Sequence, residues 1–399
     1  MDFASLKSKY ENFSKPIIEI QVGEMSMTAG EKRKKSLGVS NVHIELTAGF
    51  EASVATYSIY NVYNYEKASF DVSSIKNFIM LGSVVRIYAG YELTVREVFR
   101  GIITKVNFVV EEDDMANITV TCMDVKAVMM ANRYSRRLKA SVYSEAVKEI
   151  FNQGVYQTLK DNEAISSFTI EPTPDAPAGG VAPAAGPQQE NNTDRTVEMV
   201  AESDYEFIVK VAKKFNFEFF VMGGEVIFRP AKADQTEQID LQSDSRISRL
   251  SVEYDMTGLV EQIEVRGLDV GKAKMVSETI KNGNKFSIGN KAKSLIAGSK
   301  KVYIDPTVSA SDDAKNRARY LYEDMSFRYG SLDVEMVGIP DILPGRFITV
   351  NGIGDAVSNK FYVQTVKHNF SPDGRYSTTI TGKADRQEDM SLLGMGGLL

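Results

Sequence analysis

Apolar and polar residues alternate along most of residues 16–125, and the alternation returns over 245–385. Stretches such as Pro16-Ile-Ile-Glu-Ile-Gln-Val and Ser83-Val-Val-Arg-Ile-Tyr combine a period of two with β-branched side chains, which is typical of strands with one buried face. Gly, Asn and Asp separate these strands, and helical stretches are absent between most of them. The pattern therefore predicts a β-barrel or a β-sandwich.

One β unit occurs twice in the chain. Residues 99–108 read Phe-Arg-Gly-Ile-Ile-Thr-Lys-Val-Asn-Phe, and residues 361–370 read Phe-Tyr-Val-Gln-Thr-Val-Lys-His-Asn-Phe. Each follows an apolar strand that begins at a glycine, Gly82 or Gly345, and each leads through a polar turn into an alternating strand that ends at Asp124 or Asp385. Such a duplication favours a pseudo-symmetric structural part over an enzyme with one active site.

Helical periodicity is found in residues 126–160, after Ser203, and in residues 311–329. For the second of these helices, Ser203 or Asp204 is a plausible N-cap, and for the third Ser309 or Ser311. The predicted buried faces consist of Val142, Ala146, Val147, Ile150, Phe151; Phe207, Ile208, Val211, Ala212, Phe215; and Ala314, Ala318, Leu321, Tyr322, Met325. We also expect a short helix over residues 52–64, because Tyr57, Tyr60 and Tyr63 recur at every third position.

An α+β insert follows the first β region. The pair Gly223-Gly224 lies between two apolar runs and predicts a β-hairpin after the second helix. Residues 171–192 are rich in Pro and Gly and have no periodic apolar face, so we interpret them as an exposed loop or linker.

Composition and charge exclude several classes of protein. The net charge of −6 argues against a nucleic-acid-binding protein, and the basic run at 32–35 is interpreted as a solvated loop. The single cysteine, Cys122, lies on an alternating strand and excludes a disulfide framework or a cysteine-based metal site. The chain has neither a signal-peptide pattern nor an apolar run of about 20 residues, so we expect cytoplasmic synthesis and no membrane-spanning segment.

No catalytic set, cofactor motif or metal-binding motif is found. His43 and His368 each lie on a predicted strand, and we interpret both as sheet residues. The acidic run at 111–114 lacks the spaced ligands of a calcium loop and is interpreted as a charged turn. Paired carboxylates that meet only in space stay open. We predict that the protein is not an enzyme, with no catalytic residue, no cofactor and no metal.

Three stretches resemble the phage late control protein D family. The first runs from Ser203-Asp204-Tyr205-Glu206-Phe207-Ile208 through Ala212-Lys-Lys-Phe-Asn-Phe-Glu-Phe to Val226-Ile-Phe-Arg, and it is the most specific. The others run from Leu81-Gly82 to Ile103 and from Gly338-Ile-Pro340 to Gly345. The resemblance covers residues 16–385. The family includes the baseplate hub of contractile phage tails and the hub portion of VgrG proteins in type VI secretion.

The resemblance implies a mainly β fold, with two similar tube-type β-barrels, an inserted α/β domain and connecting helices. The implied organisation is a first barrel at 1–125, a helical connector with the α+β insert at 126–235, a second barrel at 236–385, and a flexible apolar tail at 386–399. VgrG chains continue into a spike, whereas this sequence has none after residue 385, so the spike would be a separate polypeptide. The tail residues that are candidates for docking on it are Leu392, Leu393, Met395, Leu398 and Leu399, and the alternative is a disordered terminus.

The implied function is that of a homotrimeric baseplate hub in a phage tail, an R-type bacteriocin or a related particle released from the cell. Its two barrels per chain would form a pseudo-hexameric ring between the hexameric tail tube and the trimeric spike. The implied partners are the tube protein, the spike protein and wedge or inner baseplate proteins. Two alternatives stay open: a type VI-like hub split from its spike, and a secreted β-rich glycosidase or adhesin.

Overall fold

The computed structural model describes residues 2–29, 38–92, 94–112, 115–175, 197–269, 272–281 and 290–386. Its helices are α1 (Phe3–Lys9), α2 (Lys126–Met129), α3 (Tyr143–Phe151), α4 (Gly154–Asp161), α5 (Asp204–Phe215), α6 (Asn290–Ile296) and α7 (Ser311–Ser326).

The strands come in three groups along the chain. The first group is β1 (Pro16–Val22), β2 (Met25–Ala29), β3 (Gly38–Thr47), β4 (Val54–Tyr60), β5 (Tyr63–Asn64), β6 (Ser69–Phe70), β7 (Val84–Tyr91), β8 (Thr94–Val109) and β9 (Asn117–Met123). The second is β10 (Tyr134–Arg137), β11 (Ser167–Ile170), β12 (Glu198–Glu202), β13 (Phe217–Met222) and β14 (Glu225–Pro230). The third is β15 (Glu237–Leu241), β16 (Ile247–Tyr254), β17 (Gln262–Asp269), β18 (Lys274–Lys281), β19 (Lys300–Ile304), β20 (Gly330–Val337), β21 (Phe347–Val350), β22 (Asn359–Phe370) and β23 (Tyr376–Ala384).

A 13-stranded, mostly antiparallel sheet dominates the molecule. Its main path runs β16-β20-β23-β22-β3-β4-β9-β8-β7-β1-β2, and β21 pairs with both β22 and β15 beside that path. The mainly β fold is thereby confirmed. Within the part of the chain that the structure describes, the pairing order does not return to its first strand, so the large sheet is open and no closed barrel is found.

The duplication read from the sequence is present in the strand pairing. In a first unit, the pairing order is β1-β7-β8-β9-β4-β3, and in a second unit it is β15-β21-β22-β23-β20-β16. The strands of the two units correspond one to one in this order. The outermost pair differs, because β1 is antiparallel to β7 whereas β15 is parallel to β21. The other four pairings of each unit, which join five of its six strands, agree in order and in direction.

Backbone details repeat as well. Gly82 donates its N–H to the carbonyl of Ile103 at 2.9 Å, and Gly345 donates to the carbonyl of Val363 at 2.9 Å. Both glycines have φ of +83°, a backbone conformation that residues with a Cβ rarely adopt. In both units the residue after this carbonyl forms a β-bulge. Thr104 of β8 is bulged against β9, and Gln364 of β22 is bulged against β23.

These bulges correct the sequence alignment of the two copies. The sequence aligned Phe99 with Phe361, whereas the bulges and the partners on β9 and β23 align Ile103 with Val363 and Met123 with Lys383. The sequence match was therefore wrong by two positions along the strand. A shift of two keeps every side chain on the same face of the sheet, so the hydrophobic pattern alone did not reveal it.

Several local predictions were wrong. Residues 54–60 form strand β4 and not a helix, because Ala55, Tyr57 and Ile59 alternate into the core with the period of a strand. Helix α7 begins after Ala310, which makes no side-chain capping bond, so neither Ser309 nor Ser311 is its N-cap. Helix α1 was not predicted; its N-cap Asp2 accepts a hydrogen bond from the Ser5 N–H at 2.6 Å.

The predicted α+β insert is present. Helix α5 buries the expected stripe, which is Phe207, Ile208, Val211, Ala212 and Phe215. These side chains share a core with helix α3 and with the sheet β11-β14-β13, in which Gly223 and Gly224 form the predicted hairpin turn. A second α+β body was missed by the sequence analysis: the sheet β18-β17-β19 packs against α7 around its own core, which includes Ile263, Val265 and Ala318.

The two glycines that begin the repeated strands allow a direct test. We expect Gly82→Ala to lower the free energy of unfolding by about 1 kcal/mol, because its φ is unfavourable for alanine while no atom lies within 4 Å of the added Cβ. Gly345→Ala should cost more, since its Cβ would lie 2.7 Å from Cζ of Phe220. Urea unfolding of both variants measures the difference, and equal losses would contradict it.

Candidate functional site at the junction of the two units

The two units are joined by one strand pair, β3 with β22. Residues 365–370 of β22 pair antiparallel with residues 42–47 of β3, from Thr365 opposite Thr47 to Phe370 opposite Val42. The preceding part of β22 pairs with β21 on the same side. A single long strand therefore serves both its own unit and the neighbouring one. We refer to this β3–β22 pairing as the junction.

The junction has one apolar face and one polar face. On the first, Val42, Ile44 and Leu46 meet Phe370, His368 and Val366, and all are buried in a core that includes side chains of both units. On the second, Lys367 Nζ lies 3.3 Å from a carboxylate oxygen of Glu45. Because one apolar core runs through the junction, the two units are held by hydrophobic burial as well as by backbone hydrogen bonds.

Both histidines lie in the junction, which the sequence did not indicate. The His43 side chain hydrogen-bonds the Asn369 side chain directly across the strand pair. His368 is fully buried, and its Nδ1 lies 3.0 Å from the Tyr376 hydroxyl and 3.2 Å from that of Thr378. Burial lowers the pKa of His368 to about 3 and keeps its ring neutral. These contacts place both side chains in the packing of the sheet, as the sequence predicted.

A buried carboxylate ties the first unit to the second near the junction. Asp341, almost inaccessible to solvent, accepts hydrogen bonds from Lys9 Nζ at 2.8 Å, from the Tyr10 hydroxyl at 2.5 Å and from Arg96 Nη1 at 2.6 Å. Burial alone raises the pKa of this carboxyl, but the three donors outweigh burial and hold it below its usual value. The donors come from α1, its C-terminal end and β8, so one carboxylate orients three segments of the first unit.

Tyr91 adds a second link of the same kind. Its buried hydroxyl donates to the carbonyl of Gly338 at 2.8 Å, and its ring packs against that of Tyr376 with centroids 5.8 Å apart. A Cβ on residue 338 would lie 2.2 Å from the Tyr376 ring, so this close approach requires glycine. The sequence analysis identified the stretch from Gly338 to Gly345 but did not single out Asp341 within it. The available signal was one acidic residue in an otherwise apolar loop that contains proline.

The Ser203-Asp204 block also has a structural explanation. Ser203 accepts a hydrogen bond from the Glu206 N–H at 3.0 Å, and Glu206 accepts one from the Ser203 N–H at 2.7 Å, which together form a capping box. Asp204 is fully buried and accepts from Asn132, Arg136 and Tyr156 at 2.7–2.9 Å. The serine therefore begins the helix, and the aspartate attaches it to β10 and α4.

A buried lysine links the insert to the large sheet. Lys126 Nζ donates to the carbonyls of Gly49, Phe50 and Glu51 at 3.2, 3.1 and 2.6 Å, in the loop that connects β3 to β4. Burial lowers the pKa of this ammonium to about 8, against the opposing attraction of the nearby Asp124. Sequence reasoning did not identify Lys126, because its three acceptors are backbone atoms distant in the sequence.

The end of β8 and the outer edge of β16 have no partner strand in the part of the chain that the structure describes. Beyond Ile103, β8 is paired with β9 on one side only, and β16 is paired only with β20. On the open part of β8, Phe108 is 48% exposed and Val110, just past the strand end, is 53% exposed. Apolar edges of this kind normally need a partner, because their unpaired backbone groups invite strand addition.

The predicted docking tail, with Leu392, Leu393, Met395, Leu398 and Leu399, lies outside the described residues. Most of the Pro-rich segment at 171–192 and the basic run at 32–35 do so as well. The last described residue, Arg386, is held by a hydrogen bond from Asn359 Nδ2 to its carbonyl at 2.7 Å. A cavity of 530 Å³ opens beside it, with Lys232, Arg319 and Lys360 among its lining residues.

The described ranges contain neither a metal-binding cluster nor a membrane-spanning helix. They hold no group of three or more His, Cys, Asp or Glu side chains that would bind a metal ion. Among the described helices, none is both long and apolar enough to cross a lipid bilayer. Cys122 is buried on β9, and burial raises the pKa of its thiol well above the usual value.

Comparison with known proteins gives one family and one fold. The family model described as the Alg8 N-terminal domain matches residues 20–168 and 188–372. A tail protein from Neisseria meningitidis is similar over 93% of this chain and 97% of its own, with a TM-score of 0.62 and 12% sequence identity. The 43 kDa tail protein of prophage MuSo2 from Shewanella oneidensis is similar over 92% of this chain and 98% of its own, with a TM-score of 0.62 and 9% identity.

A third solved structure comes from E. coli and is described as a component of the type VI secretion system with structural similarity to bacteriophage tail proteins. The similarity covers 91% of this chain and 76% of the E. coli chain, with a TM-score of 0.52 and 11% sequence identity. No curated protein matches the chain significantly in sequence. The fold resemblance to phage tail proteins predicted from the sequence is confirmed over nearly the whole chain.

Replacement of the carboxylate that links the units should weaken the protein in a pH-dependent way. We expect Asp341→Asn to lower the free energy of unfolding at pH 7 by about 1–3 kcal/mol, because one acceptor oxygen and the charge that compensates Lys9 and Arg96 are lost. Since the folded pKa is below the unfolded one, this stabilisation is complete above the ordinary carboxyl pKa and is lost as the pH falls through the folded value.

The measurement is urea unfolding of both proteins between pH 3 and 7. The difference between them should shrink below about pH 4, the range of an ordinary aspartate. Asp244→Asn, at an exposed position, is the control and should change little. A difference that stayed constant down to pH 3 would contradict the role given to the Asp341 charge.

Proposed function

This chain belongs to the family described as the Alg8 N-terminal domain and has the fold of phage tail proteins, and from these two facts we propose that it is the structural baseplate hub of a contractile injection particle. The particle would be a phage tail, an R-type bacteriocin or a related assembly. The hub acts as a homotrimer and adapts a hexameric tail tube to a trimeric spike. It performs no catalysis.

The observation that carries this proposal is the repetition of strand pairing within one chain. Three copies of a chain with two like units present six similar positions around a threefold axis. The two units share five corresponding strands with the same neighbours, the same glycine conformation and the same bulge. A sixfold tube therefore meets six similar sheet edges, while the differences between the units leave a true threefold symmetry for the spike.

We propose that each unit provides one tube-type barrel, with the first at 1–125, the second at 236–385 and the α+β insert at 126–235. The sheet is open in one chain, and its unpaired β8 and β16 edges are those that a ring would use. Interfaces of obligate rings usually bury more than about 2,000 Å². The exposed apolar residues on the open edge of β8 support an interface of this kind.

The proposed partners are the tail tube protein on one side, the central spike on the other, and wedge or inner baseplate proteins around the ring. The apolar tail with Leu392, Leu393, Met395, Leu398 and Leu399 is proposed to dock on the spike. Synthesis and assembly are proposed to take place in the cytoplasm, before the particle leaves the cell.

A second candidate is a hub of a type VI-like secretion apparatus whose spike is a separate chain. It is supported by the fold shared with the E. coli type VI component, at a TM-score of 0.52. The two candidates are distinguished by electron microscopy of particles from cells that make the protein: a sheathed, released tail supports the first, and an envelope-anchored apparatus supports the second. The secreted glycosidase or adhesin considered from the sequence has no support from these comparisons.

Solution mass tests the proposed trimer. When the chain is produced together with its tube and spike proteins, we expect a hub species of three times 44.2 kDa, because the open edges are closed only in the ring. Sedimentation or mass photometry of the purified complex gives this stoichiometry. A strictly monomeric hub under these conditions would exclude the proposal.

Removal of the tail tests spike docking separately. We expect deletion of residues 387–399 to leave the trimer intact and to reduce co-purification of the spike at least tenfold, since the apolar side chains at these positions are lost. Leu392→Ser with Leu393→Ser should reproduce part of the loss, and Gln387→Ala is the matched control. Unchanged recovery of the spike with the deletion variant would show that the tail is not its docking segment.

A further inference from the structure

The internal repeat also indicates how neighbouring chains meet. We propose that the open edge of β8, at residues 105–110, pairs antiparallel with β16 of a second copy of this chain, at residues 250–255, in the register of the junction. This inference rests on the proposed trimer and adds its subunit interface.

The register follows from two strand correspondences. Residue 105 of β8 faces Thr121, as residue 365 of β22 faces Thr381, so positions on β8 correspond to positions on β22 that are 260 higher. Val54 of β4 corresponds to Ser331 of β20, because they face the aligned residues Met123 and Lys383. Glu45 of β3 faces Val54 and Glu253 of β16 faces Ser331, so positions on β3 correspond to positions on β16 that are 208 higher. The junction pair Thr365–Thr47 thus becomes Lys105–Asp255, and Phe370–Val42 becomes Val110–Leu250.

The apolar faces of these two edges are complementary when the register of the junction is applied to β8 and β16. We call this the transferred register. Val106, Phe108 and Val110 would meet Tyr254, Val252 and Leu250 of the other copy. In the junction the same three places are taken by Val366, His368 and Phe370 against Leu46, Ile44 and Val42. Leu250, Val252 and Tyr254 are half-buried, whereas Ser251 and Glu253 between them are exposed. The alternation therefore has the phase that continues the apolar core into the next chain.

The polar face is complementary as well. The transferred register brings Lys105 opposite Asp255, and these exposed side chains have opposite charges. Asn107 would face Glu253 at the place where the junction has Lys367 and Glu45. Oppositely charged and apolar cross-strand pairs each favour one register over its neighbours. A shift by one residue would place Lys105 on Tyr254 and Phe108 on Ser251, and both kinds of match would be lost.

The edges concerned are available for this pairing. No described strand pairs with β8 beyond Ile103 on the side opposite β9, and none pairs with β16 opposite β20. Each chain thus offers one edge of each kind. Three chains form three such contacts in addition to the three internal junctions, and the ring closes with no edge of these two strands left over.

Disulfide trapping tests the register. Antiparallel partners have Cα atoms about 4.5–5.5 Å apart, which a disulfide can span. We therefore expect Asn107→Cys combined with Glu253→Cys to give covalent dimers and trimers under mild oxidation in the co-produced complex. The unmodified chain, in which the native Cys122 is buried, gives the background level of cross-linking. Asn107→Cys combined with Arg249→Cys is the matched control, because residue 249 lies about 13 Å further along the strand.

The result expected is efficient cross-linking of the 107–253 pair and at least tenfold less of the 107–249 pair. A complex that has trimeric mass but cross-links neither pair, or both equally, would overturn the register while the proposed hub function stands. A monomeric mass for the complex would overturn both. Because 107 and 253 lie on strands separated by many others in the sheet, a link within one chain is distinguished by its monomeric size on a denaturing gel.

A second variant tests the same contact without new cysteines. Phe108→Ser removes a ring that is 48% exposed in one chain and that the proposed pairing would cover. We expect the variant trimer to dissociate at a protein concentration at least tenfold higher than that at which the unmodified trimer dissociates. Leu81→Ser, at a position 64% exposed and outside the proposed contact, is the control. Equal effects of the two substitutions, or none from Phe108→Ser, would contradict the proposed face.

Discussion

The fold depends on one constraint, which is that β22 must pair with two neighbours on the same side. Its first half completes the second unit through β21, and its second half pairs with β3 of the first unit. A regular strand cannot serve two partners on one side at the same residues, so the two pairings divide the strand between them. The bulge at Gln364 coincides with this division. The continuous apolar core across the junction follows from it.

Buried charged side chains hold in place the segments that strand pairing in the large sheet does not position. Asp341, Asp204 and Lys126 are each removed from water, and each makes three hydrogen bonds to groups from other segments. An uncompensated charge at any of these positions would be costly, so every one of them requires its segments in one arrangement. The α1 segment, the helix of the insert and the β3–β4 loop are thus positioned by these buried charges in addition to apolar packing.

Much of this arrangement could be predicted from the sequence, because it depends on short-range periodicity. The strands, the buried stripe of α5, the hairpin at Gly223-Gly224 and the duplication are all local patterns. The errors have two physical sources. A period of two cannot reveal a displacement of two residues along a strand, and tyrosines at every third position mimic a helix although alternate residues of β4 point into the core. The partners of Asp341 and Lys126 could not be predicted, since the contacts join segments that are distant in the chain.

The covalent connection between the two units has a consequence for how the proposed ring would assemble. Six separate one-unit chains would have to collide and would lose translational and rotational freedom at every contact. In the proposed trimer, half of the contacts are made within one molecule as it folds, where the β3 edge is present at an effective concentration in the millimolar range or above. Assembly then depends on the third power of chain concentration instead of the sixth. The proposed ring could therefore form from a smaller pool of subunits than six separate one-unit chains would need.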